Sequence, residues 1–133
     1  MDVIKRITQA LREEYPAGQY DVYTESIEQG FTEPCFSIRL LSEAAQRYPS
    51  DRTLYTPHYD VRFFPPPRRK KEQCRKAAQT LAFLLRDLPG LHGTDMEWEI
   101  TDDVLHFFVS YPHFVREVKQ QDAMEELQTE VTT

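Results

Sequence analysis

The sequence predicts an α+β domain: a mostly antiparallel sheet of about five strands with two helices packed on one face, in the order α-β-β-β-α-β-β. Three observations predict it. Two segments, one at the start and one in the middle, carry apolar residues at helical spacing. The segments between and after them alternate apolar and polar residues with period two. Most of the strands are joined by short turns, which makes neighbours antiparallel and leaves two helices to cover one face.

The first helix rests on Val3, Ile4, Ile7 and Leu11, with Asp2 as its cap and Pro16 and Gly18 as its stop. A short strand follows at about Gln19 to Glu25. Ser26 to Pro34, with Gly30 and Pro34, reads as a loop. Cys35 to Glu43 is the second strand, with Phe36, Ile38 and Leu40 on one face and Ser37 and Arg39 on the other. Ala44 to Arg52 reads as a connection. Thr53 to Phe64 is the third strand, and Pro57 within it predicts an edge or a bulge. Pro65, Pro66 and Pro67 stop that strand.

The second helix is predicted from about Lys70 to Leu88. Its stripe is Cys74, Ala77, Ala78, Leu81, Leu84, Leu85 and Leu88, and Pro89 and Gly90 end it. The last two strands, Thr94 to Thr101 and Val104 to Tyr111, flank Asp102 and Asp103 where a two-residue hairpin turn belongs. After Pro112 the chain turns polar and acidic. The expected organisation is a single domain over residues 1–116 and an acidic C-terminal extension over 117–133.

A chain of 133 residues fits one domain and can bury a core without staples. No apolar run approaches the roughly 20 residues that cross a bilayer. The start, MDVIKRITQALREE, lacks the apolar stretch of a secretory signal. Cys35 and Cys74 are spaced for neither a disulfide framework nor a zinc site, and read as buried thiols in a reducing compartment. The net charge of −6 argues against sequence-independent nucleic-acid binding. The charge is uneven, however. Arg68, Arg69, Lys70, Lys71, Arg75 and Lys76 cluster at the start of the second helix, while Glu117, Asp122, Glu125, Glu126 and Glu130 face one Lys119 near the end.

No catalytic constellation is legible. The four glycines are scattered, and GxSxG, HExxH and CxxC are all missing. His58, His92, His106 and His113 have no converging ligands at metal spacing and read as packed or surface histidines. Glu25, Glu28 and Glu33 read as a solvated or partner-facing loop rather than an acid–base pair. No catalytic residue, metal or cofactor is therefore expected.

The strand faces point to assembly. On the last strand Leu105, Phe107, Val109 and Tyr111 share one face, while Val104, His106 and Phe108 share the other. Leu54 and Phe64 also lie opposite the tyrosine face of the third strand. Both faces thus carry large apolar groups. Either loops and the C-terminal segment cover the second face, or another chain does. Monomers seldom expose large apolar patches, which favours the second alternative. The basic run reads as a solvated helix start, as a contact for an acidic surface on a partner subunit, or as a contact for DNA phosphates.

Several motifs together resemble the phage tail terminator proteins of Gram-positive phages and prophages. They are Glu28-Gln29-Gly30-Phe31 followed by Glu33-Pro34-Cys35-Phe36, Tyr59-Asp60-Val61 with Phe63-Phe64-Pro65, the strand Val104 to Val109, and Met124-Glu125-Glu126-Leu127. The resemblance spans nearly the whole chain. Asp102-Asp103 departs from the Asp-Gly expected there, which bears on the turn type only. The resemblance implies a subunit of a ring, commonly a hexamer, that caps the head-proximal end of a tail tube, ends tube polymerisation and offers a surface for head attachment. It implies a virion or phage-like tail location after assembly in the bacterial host cytoplasm.

The implied partners are copies of the chain itself, a tail tube protein, a sheath protein and a head–tail connector protein. No membrane is involved, and nucleic acid enters only as DNA passing through the lumen. The candidate interface residues are Glu28, Gln29, Gly30, Phe31, Arg68, Arg69, Lys70, Lys71 and Phe108, with Phe31 the aromatic anchor. The alternative function is a small nucleic-acid-binding module using Arg68 to Lys76.

Overall fold

A computed structural model describes residues 2–24, 31–119 and 127–132. Helix α1 (Val3–Leu11) starts where the Asp2 carboxylate accepts the Lys5 N–H at 3.0 Å. Val3, Ile7 and Leu11 form its buried stripe. Strand β1 (Asp21–Tyr23) then runs parallel to the start of β2 (Cys35–Tyr48). β2 and β3 (Arg52–Phe64) form one long antiparallel hairpin, so the segment expected as a connection is strand for most of its length.

Helix α2 spans Lys70–Leu84, four residues shorter than its apolar stripe suggests. The reason is Pro89-Gly90, with Gly90 at φ 73. That pair turns β4 (Asp87–Leu88) back onto β5 (Leu91–His92), and Leu88 is buried from this small hairpin instead of from the helix. β6 (Thr94–Thr101) and β7 (Val104–Ser110) are joined through Asp102 and Asp103, both at positive φ (52 and 60), the geometry of a type I′ turn. β8 (His113–Lys119) and β9 (Leu127–Thr132) close the chain as a further antiparallel pair.

The architecture is α+β, with the main sheet ordered β1-β2-β3-β7-β6, β8 added along β3 and β9 along β8. Both helices pack on one face. Ile7, Leu11, Ala78 and Leu81 from the helices meet Phe36, Ile38, Val61, Leu105 and Phe107 from the strands in one core. Tyr111 is wholly buried there, and its hydroxyl donates to the Leu85 carbonyl at 2.7 Å. Cys35 and Cys74 are both fully buried. Burial pushes the Cys35 thiol up to about 11 and raises that of Cys74 as well. Native protein at pH 8 should therefore resist alkylation by iodoacetamide at both thiols and take up two labels only once unfolded, as counted by intact mass. Rapid labelling of the native form would contradict this burial.

The sheet has two parts. In the body, β3 pairs with β7 over His58–Phe63; beyond it, β3 pairs with β8 over Arg52–Tyr55. The register is unbroken across the gap: Ser110 opposes His58 and His113 opposes Tyr55. β7 and β8 are thus one run interrupted at Tyr111 and Pro112. Pro57 sits opposite that interruption, and its carbonyl accepts the Tyr111 N–H at 3.2 Å. The donor that proline lacks falls where the ladder is already broken, so Pro57 is accommodated in the middle of the sheet rather than at an edge. On the other side of β3, β2 shifts register between Leu40 and Ser42. Beyond this waist, β2, β3, β8 and β9 form an arm about 23 Å long by the rise of the seven residues Ser42–Tyr48.

Candidate functional site

The face turned away from the helices decides what the surface can do. Strand alternation puts Ser37, Arg39, Asp60, Arg62, His106 and Phe108 on it, in cross-strand register. Asp60 is 1 % exposed. Its Oδ2 accepts from Arg39 Nη2 at 3.3 Å and from His106 Nδ1 at 3.2 Å. Arg62 Nη2 donates to the buried Ser37 hydroxyl at 3.0 Å. Burial, and after it the neighbouring Arg39, pushes the pKa of Arg62 down, while Asp60 opposes the shift. Among the described residues Asp60 Oδ1 and Arg62 Nε have no partner.

This seam corrects the expectation of a second apolar face. Phe64 and Phe108 do lie on it, but each is half-buried under a polar neighbour. The Arg62 guanidinium stands 5.6 Å over the Phe64 ring, and His106 stacks on Phe108 at 6.4 Å. Asp60 is thus tied to one cross-strand neighbour on each side, Arg39 from β2 and His106 from β7. The seam ties β2, β3 and β7 together across the open face. Among the described residues no group of three His, Cys, Asp or Glu could hold a metal.

Large apolar side chains are exposed elsewhere. Among the described residues they are Leu40, Leu41, Trp98 and Phe83. Phe83 projects from α2. The other three lie on β2 and β6, on opposite sides of the main sheet. Among the described residues β1 covers β2 only over Cys35–Ser37, and Arg39 to Arg47 are all exposed. β6 has β7 on one side and, among the described residues, no strand on the other.

The residues singled out in the sequence fall into separate places. Phe31 is half-buried against Phe64, with ring centroids 4.8 Å apart. Lys70 reaches Glu33 at 3.9 Å, which brings the segment after residue 30 to the start of α2. Arg68, Arg69 and Lys71 are exposed there, with Arg69 in the left-handed region (φ 49) and 3.8 Å from Glu72. Phe108 lies apart from this group, opposite Asp60 on the open face. Glu28, Gln29 and Gly30 lie outside the described residues. Sequence reading missed the two open edges, because which strands are outermost depends on strand order. The signal was present in Leu40-Leu41 and Trp98, large apolar residues within strands, with Leu41 followed by a stretch that has no proline and one charge up to Gln46.

Comparison with known proteins follows the same direction. A family model described as "Phage tail terminator protein" matches residues 2–123. No curated protein matches the chain.

Proposed function

The chain belongs to the phage tail terminator protein family, a family of tail structural proteins, and from that premise we propose that it is one subunit of a closed ring capping the head-proximal end of a tail tube. The ring, of six copies as the resemblance implies, ends tube polymerisation and presents a surface to the head or collar. Its partners are copies of itself, the tail tube protein, a sheath protein where one surrounds the tube, and a head–tail connector. Nucleic acid meets it only as DNA in the lumen. Phe31, Arg68 to Lys71 and Phe108, with Glu28 to Gly30, are assigned to subunit or tube contacts.

The observation that carries this reading is the waist and arm. The β2–β3 hairpin continues well past the core and is widened by β8 and β9. Tyr48 packs edge-on to Phe114 at 5.2 Å, and Arg52 lies over the same ring at 4.9 Å, so the arm carries its own small packing. A projecting, self-supported platform adds little to the stability of the domain and much to its reach. Among the described residues the fold also has two distinct open edges, on β2 and β6, and closed rings need two different, mutually complementary surfaces on each subunit.

Native mass measurement and electron microscopy test the proposal. The expected result is a particle of one fixed copy number, alone or with tail tube protein, and tubes that stop growing at the end it occupies. A protein that stays monomeric with and without tube protein would overturn it.

A further inference from the structure

We propose that neighbouring copies join by strand addition, the outer edge of β6 of one copy pairing with the outer edge of β2 of the next beyond Ser37. The inference rests on the ring reading and names the surface that closes it.

Three observations carry it. First, among the described residues both edges are open: β6 along Thr94–Thr101, and β2 from Ile38 to Tyr48, long enough to take the whole of β6, beside no strand but β3. Natural sheets usually protect such edges with proline, charge or a covering element. From Leu40 to Gln46 β2 has no proline and a single charge, Glu43.

Second, the apolar residues match across the junction. Leu40 pairs with Tyr59 and Trp98 with Phe107, so both belong to the helix-bearing face. Leu40 is 47 % and Trp98 45 % exposed in the single copy. Within one copy they stand on opposite edges. In a sheet continued from copy to copy they become neighbours and cover one another.

Third, charge selects the pairing. β6 and the turn after it carry Asp95, Glu97, Glu99, Asp102 and Asp103 with no basic residue, so two β6 edges repel. β2 offers Arg39 on the open face, the face that Glu99 shares through its register with His106. Every step along β2-β3-β7-β6 is antiparallel, so β2 and β6 run in opposite directions. Rotation about a ring axis along the strands preserves those directions, which makes the junction antiparallel. With Leu40 opposite Trp98, Glu99 then stands opposite Arg39; Glu43 falls toward Asp95 only past the irregularities that both strands carry, between Leu40 and Ser42 and between Thr94 and Glu97, so the charge match belongs to the Arg39–Glu99 end of the junction.

Disulfide trapping tests the junction. Leu40→Cys and Trp98→Cys are combined in one chain. Within a copy these positions are three strand spacings apart, about 14 Å, too far for a disulfide. Mild oxidation of the assembled protein should give a ladder of covalent oligomers on a non-reducing gel, ending at the ring's copy number. Each single-cysteine variant should give no ladder. Rings seen by electron microscopy that stay uncrosslinked would overturn the junction and leave the ring standing; protein that forms no ring at all would remove both. A second variant, Trp98→Lys, gives up the stacking of Trp98 on Phe107 and should lower the melting temperature by a few degrees, keep the wild-type circular dichroism at about 25 °C, and weaken assembly roughly 30-fold, the loss typical of an interface anchor. Unchanged assembly of Trp98→Lys would count against the junction.

Discussion

Asp60→Ala should destabilise the domain by about 3 kcal/mol, lowering its melting temperature by about 10 °C. The carboxylate is 1 % exposed and accepts from both Arg39 and His106. Removing it leaves a cluster of positive groups without their anion. Arg39 is half-exposed and can turn to water, which keeps the loss at the lower end for breaking a buried ion pair. Arg62 cannot escape as readily, since it is held against Ser37 and already has an unpartnered Nε. Asp60→Asn preserves shape and one acceptor and should cost about half as much. Thermal melts followed by circular dichroism separate these cases; an Asp60→Ala melt within 2 °C of wild type would mean that the seam carries no stability. Asp60 also holds Arg39, the residue that the proposed junction sets opposite Glu99. Asp60→Asn should thus weaken assembly as well as stability.

Gly93→Ala is the second large effect, at about 3 kcal/mol, the upper end of the roughly 1–3 kcal/mol that overpacking typically costs, because the nearest atom is fixed backbone. A Cβ at position 93 would lie 2.6 Å from the Leu85 carbonyl oxygen, 2.8 Å from Met96 Cε and 3.2 Å from Val109 Cγ2. The methionine can swing away. The carbonyl cannot, because it ends α2 and accepts the Tyr111 hydroxyl, while the Gly93 N–H is itself bonded to Arg86 at 2.7 Å. The helix end and the strand behind it must separate. Tyr111→Phe alone should cost about 1 kcal/mol through the same carbonyl. The double variant should then cost less than the sum, because both changes spend the same contact. Denaturant melts of the four proteins measure this; strict additivity would mean that the two residues do not meet at Leu85.

What could be read from the chain was what is local. Val3, Ile7 and Leu11 announce α1 because a helix stripe needs no knowledge of its partner. The alternation in Cys35 to Leu40 and Val104 to Tyr111 likewise gives the strands and their core face. The end of α2 was misplaced because Leu84, Leu85 and Leu88 keep helical spacing, although Leu88 is buried from a hairpin. β8 was missed because its strand character comes from the free side of β3 beyond Pro57, a partner some 60 residues away in sequence. The open face was misjudged for a different reason. Arg62 and His106 stand two residues from Phe64 and Phe108 on the same strands, so their cover of those rings was legible along the chain, whereas Arg39 and His106 reach Asp60, and Ser37 reaches Arg62, only through pairing.

The waist has a mechanical consequence. Three runs pass from body to arm, and each is imperfect at the same level: β2 at its shift beside Leu41, β3 at Pro57, and the β7–β8 run at Pro112. Two prolines there remove two ladder donors. A sheet resists bending through its cross-strand bonds, so this line is a crease, like the scored fold in a card. Load applied to the arm is taken up there as a change of angle, and the edges of the body keep their flatness.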